Sequence, residues 1–125
     1  MNIRYGEYRA TLYAMAVHDD RRTINRHRAT ADKATYILTQ IVAERGVSWA
    51  NANQDLVLKY ARQRFGLLAS IWPTIAVALL KLLLPILLQW LTEQMVQLKA
   101  SGGKPSMLDE TMRNLAFEAE RTGAT

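Results

Sequence analysis

The sequence predicts an all-α protein of four to five helices, and three observations carry that prediction. Apolar residues recur at steps of three and four along most of the 125 residues. Alternation of β-branched and polar residues is nearly absent. Only six glycines and three prolines punctuate the chain, so the periodic stretches run long.

The first stretch places Tyr5, Tyr8, Leu12 and Met15 on one helical face, and His18-Asp19-Asp20 ends it or begins a turn. The second, from about Thr23 to Arg45, aligns Ile24, Ala31, Ala34, Leu38, Ile41 and Val42. Gly46 is its expected stop, with Arg45 suited to the negative helix end. Ser48 is a candidate N-cap for a third helix carrying Trp49, Ala52, Leu56 and Tyr60 on one side. A long apolar helix follows over about 67–98, kinked near Pro85 because an interior proline cannot supply its ladder hydrogen bond. Ser101-Gly102-Gly103-Lys104-Pro105 reads as a loop. The last helix is expected from Ser106 to about Arg121, with Ser106 and Asp109 at capping-box spacing and Leu108, Met112, Leu115 and Ala119 as its stripe.

Composition narrows the chemistry. Half of the residues are apolar and 22% are charged, which sets the chain apart from disordered tails. The absence of cysteine excludes disulfides, thiolate metal sites and a cysteine nucleophile. His18, Asp19, Asp20 and His27 match no metal-ligand spacing. No phosphate loop, nucleophile elbow or dinucleotide fingerprint occurs, so neither an enzymatic activity nor a cofactor is expected. No secretory signal or lipidation motif is read at either end.

Charge divides the chain into three regions. Residues 1–65 form a basic helical N-terminal region, with eleven Lys/Arg against six Asp/Glu. Residues 66–91 carry Lys81 alone, and residues 92–125, the helix extension, loop and C-terminal amphipathic helix, carry four Lys/Arg against five Asp/Glu. Within the basic region Arg21, Arg22, Arg26 and Arg28 cluster around His27 with no acid between them. Guanidinium forks suit phosphate, so these four are the candidate phosphate or headgroup contacts.

The apolar region decides the functional expectation. Twenty-five helical residues reach about 37 Å, against a hydrocarbon core roughly 30 Å thick. Trp72 and Trp90 lie eighteen residues apart, which suits anchoring at two bilayer interfaces. Ten Leu, three Ile and one Val contribute on the order of −6 kcal/mol to insertion, and Lys81 returns about +3. Ser70, Thr74, Ala78, Lys81, Pro85 and Gln89 form one stripe of small and polar residues, expected to face another helix or a lumen.

The expectation is a small non-enzymatic membrane protein. It would self-associate as a structural or anchoring component of a membrane-bound assembly, such as a virion or envelope complex, with a pore-forming, holin-like role as a sub-case. Its partners would be the lipid bilayer and copies of itself or other subunits, with nucleic acid a lesser alternative. Its place would be a bacterial inner membrane or a virion membrane, the N-terminus cytoplasmic by a slight excess of flanking cations. The terminal stripes would then be covered by neighbouring subunits. The alternative is a soluble helical bundle whose basic N-terminal half binds an anionic partner, with the apolar helix at its centre and Lys81 and Gln89 reaching solvent.

Overall fold

The computed structural model describes residues 2–66 and 73–123. Among them the chain is helical, with no strand. The six helices are α1 (Tyr5–Arg26), α2 (Arg28–Arg45), α3 (Val47–Ala52), α4 (Gln54–Gly66), α5 (Pro73–Ala100) and α6 (Pro105–Arg121). The expected Ser70 and Trp72 positions lie outside the described residues.

Helix α5 is the centre of the bundle. It packs on α1, α2, α4 and α6, and Leu79, Leu80, Leu83, Leu84, Leu87 and Leu91 are almost wholly removed from water. Full burial of one leucine side chain is worth roughly 1.5–3 kcal/mol, so this row is a principal source of cohesion. The helix runs unbroken through Pro85. Pro85 is exposed, so the carbonyl its ring displaces lies on the solvent side.

The amphipathic helices turn their expected stripes onto α5 and onto each other. Tyr5, Tyr8 and Leu12 of α1 are buried, and the Tyr8 ring meets Trp90 of α5 edge-on at 5.1 Å between centroids. All six residues expected on the second helix are buried as well, five on α2 and Ile24 at the end of α1, and so are all four expected α6 residues. Cover by neighbouring subunits is therefore not required. Helix α6 packs chiefly on α2, and α1 chiefly on α5. The last helix thus has a packing partner within the chain.

The expected turn at Asp20 is present, and two other local expectations need correction. Within α1 the chain leaves helical geometry at Asp20 (φ −154°, ψ 85°). The Asp20 carboxylate accepts the backbone N–H and the hydroxyl of Thr23, which restarts the helix after the turn. The third helix is two helices, separated at Asn53, whose side-chain amide donates to the Trp49 carbonyl and competes with the helical ladder. That break resets the phase. The core face of α4 is Val57, Ala61 and Phe65, while Ala52 and Leu56 are exposed. Ser48 and Ser106 cap nothing. Helix α3 starts at Val47 and α6 at Pro105, a favoured first-turn position for proline.

The caps come from across the fold. Asp109 of α6 accepts the Val47 N–H at 2.8 Å. Glu118 of α6 accepts the Tyr5 N–H at 3.0 Å and the Arg4 guanidinium at 2.8 Å, at the start of α1. A carboxylate at a helix N-terminus meets both the free N–H groups and the positive end of the dipole. The Tyr5 N–H and then Arg4 hold the Glu118 carboxyl below its ordinary pKa. Gly46 does stop α2, at φ 96°, a left-handed region that favours glycine.

A short polar seam runs inside the α1–α2 interface. Thr39 donates its hydroxyl to the Thr35 carbonyl, so the Tyr8 hydroxyl donates to Thr39, at 2.5 Å. Tyr13 donates to Asp32, and the neighbouring Thr35 hydroxyl donates to the Ala31 carbonyl. Burial drives the Tyr8 and Tyr13 hydroxyls well above the ordinary tyrosine range. Tyr36, donating to Glu120 of α6, is pushed up to about 12 by burial and by that carboxylate.

Candidate functional site: an arginine corner and an outward stripe

Arg21, Arg22, Arg26 and Arg28 gather where α1 gives way to α2, and all four are exposed. The local cause is the pair of interruptions at Asp20 and His27, which puts this eight-residue cationic stretch at one corner of the bundle. Among the described residues none of the four makes an ion pair. Asp20, the nearest carboxylate in sequence, is engaged by Thr23, whose two hydrogen bonds hold it below its ordinary pKa. Arg28 is held over the Tyr13 ring, its guanidinium carbon 4.5 Å from the centroid.

Arg26 lies in the last turn of α1, which the helix dipole favours, but the other three stand where helix electrostatics does not favour them. Arg21 and Arg22 open the turn capped by Asp20, and Arg28 is the first residue of α2. Helix N-termini carry partial positive charge and disfavour a cation by about 0.3–1 kcal/mol at the surface. The α2 N-terminus has no side-chain cap of its own. Guanidinium groups and free backbone N–H groups thus collect at the same place, and both recognise oxyanions.

The described members of the second predicted set stay together in the fold. Thr74, Ala78, Lys81, Pro85 and Gln89 all lie on the exposed face of α5, in line with one another. That face meets solvent and no other helix of the described chain. Trp90, an expected interface anchor, is instead buried against Tyr8. Helix α5 remains long and apolar enough to cross a membrane, with a mean hydropathy of 2.0 over its most apolar eighteen residues.

A groove of about 400 Å³ opens between α3, α5 and the start of α6. Its walls are mostly aliphatic, with Ser48, Asn51, Thr92 and Lys99 as the polar members. No carboxylate or histidine lines it, so it offers no acid–base pair. Among the described residues no cluster of three His, Asp or Glu has metal-holding geometry.

Sequence reasoning missed the cluster of Arg45, Trp49 and Tyr60. Their spacing of four and eleven residues crosses two helix boundaries, and only the α3–α4 turn brings them together. Comparison with protein-family models, curated proteins and solved structures finds no match.

Proposed function

We propose that this chain is a soluble, non-enzymatic helical interaction module whose α1–α2 corner binds a phosphate-bearing anionic surface. The observation that carries the reading is the corner itself: four exposed arginines with no ion pair among the described residues, three of them set at helix starts that disfavour them. Residues kept where stability opposes them point to a ligand of opposite charge.

The polarity of α5 supports the soluble half of the proposal. Its leucines turn into the bundle and its polar stripe turns out. A lone helix in lipid would do the reverse, keeping Lys81 away from hydrocarbon and its leucines against it. A second reading rests on the apolarity of α5. In that reading the helix leaves the bundle and crosses a bilayer, and the Thr74–Gln89 stripe meets other copies in a structural or pore-forming assembly.

The full chain is tested by co-sedimentation with vesicles of phosphatidylcholine with and without phosphatidylserine, and by mobility shift with duplex DNA. The proposal expects binding to an anionic surface that weakens steeply with salt. Replacing Arg21, Arg22, Arg26 and Arg28 together with Gln should abolish it while the far-ultraviolet spectrum stays unchanged. Vesicle binding assigns the phosphate to lipid, and DNA binding assigns it to nucleic acid. Binding that survives the four substitutions, or no binding to either probe, overturns the proposal.

A further inference from the structure

The far end of α2 carries a second cationic feature of a different kind. Arg45 lies about 25 Å from Arg28 along the helix at ~1.5 Å per residue. Its guanidinium carbon is 4.8 Å from the Trp49 ring centroid and 4.7 Å from that of Tyr60. The two rings are nearly parallel, 7° apart, with centroids separated by 6.2 Å. Trp49 comes from α3 and Tyr60 from α4, so three helices converge on one guanidinium.

The helix dipole explains why a cation sits in the last turn of α2. It does not explain two aromatic faces holding that cation, nor its freedom from acidic partners. Arg45 is exposed, and among the described residues it makes no ion pair and no side-chain hydrogen bond. Glu44, its neighbour in sequence, is taken by Arg64 of α4. Stacking satisfies the faces of a guanidinium and leaves its N–H edge for an acceptor. A side chain already held in place loses less freedom when it binds.

The surroundings select the acceptor. Leu56, one helical turn before Tyr60, is 37% exposed and extends the aromatic surface. Tryptophan, tyrosine and arginine are the residues most enriched at protein–protein hot spots. On α4, Asp55 offsets Lys59, and Glu44 is neutralised by Arg64, which leaves Arg45 and Arg62, the latter two residues on from Tyr60 and so about 200° around the helix from it. A nucleic-acid backbone brings successive charges and calls for a run of cations, which this corner lacks. A single carboxylate followed by an apolar side chain fits both the fork and the flat apolar ground beside it.

We infer that Arg45, Trp49, Tyr60 and Leu56 form a docking site for an acidic segment of a partner protein, a glutamate or aspartate carboxylate seated on the Arg45 fork. The site is independent of the arginine corner.

Nuclear magnetic resonance of the full chain reads it directly, through the Arg45 Nε–H and Trp49 Nε1–H signals. The probes are acetyl-Glu-Leu-Glu-Leu-Glu-amide, the same peptide with Gln for every Glu, and oligothymidylate. Both signals should move saturably with the Glu peptide, and the Gln peptide should bind at least about tenfold more weakly. Arg45→Lys, which keeps the charge and loses the fork, should weaken the Glu peptide about tenfold. Arg45→Gln should remove the response. Arg45 is exposed, so both variants should keep the parent's spectrum elsewhere. Equal responses to the Glu and Gln peptides, no response to either, or tighter binding of oligothymidylate would overturn the inference.

Discussion

Replacing Leu87 with alanine should destabilise the protein by about 3 kcal/mol, while Lys81→Ala should leave it nearly unchanged. The two residues are six apart on the same helix and face opposite ways. Leu87 is 1% exposed, deep in the bundle, and Lys81 is exposed. Leucine to alanine deletes three carbons' worth of buried surface, roughly 0.8 kcal/mol each, or about 2.4 kcal/mol. Incomplete collapse of the surrounding side chains adds a cavity contribution of about 1 kcal/mol. Surface substitutions away from special features stay within about 0.5 kcal/mol. Urea unfolding followed by circular dichroism measures both. With a slope of about 2 kcal/mol per molar, Leu87→Ala should lower the midpoint by roughly 1.5 M. The reasoning fails if Leu87→Ala leaves the midpoint in place, or if Lys81→Ala lowers it as far.

The Tyr5 hydroxyl is buried with no partner among the described residues, whereas that of Tyr8 donates to Thr39. Tyr5→Phe should therefore be neutral or stabilising and Tyr8→Phe should cost about 1 kcal/mol, measured by thermal melts; the reverse order would contradict the hydrogen-bond assignment. Asp109→Ala removes the cap on Val47 and should cost about 1 kcal/mol in the same assay. The carboxyls of Asp20 and Glu118 are held below their ordinary values. Their contribution is fully present above the unfolded carboxylate pKa of about 4 and is lost as pH falls through the lower folded values. Glu118→Gln should accordingly flatten the acid side of a stability–pH profile, and an unaltered acid side would refute the Glu118 cap.

Helix periodicity made the stripes legible, because each amphipathic helix needs one apolar face and the α1, α2 and α6 faces were read correctly from spacing alone. Gly46 and the 101–105 loop were legible through backbone chemistry. Asp109 was not, since a side chain that caps a distant helix leaves the same local signature as one that caps its own. The α4 face was misread because Asn53 breaks the helix and shifts its phase, and asparagine next to alanine gives little warning of that. The corner arginines stood out as a run in sequence, while the Arg45 cluster exists only after folding. The central ambiguity lay in α5. Its leucines carry the same transfer free energy whether lipid or other helices cover them, so composition alone could not choose. The bundle reading gains support from elsewhere in the chain: α1, α2, α4 and α6 all pack on α5.

Fractionation of expressing cells, followed by a high-pH carbonate wash of the membranes, tests the place of α5 most directly. The account predicts release of the whole chain into the supernatant, because α5 is enclosed by its own bundle and anionic-surface contacts do not survive the wash. Retention in the carbonate-washed pellet would contradict it and would place α5 in the bilayer.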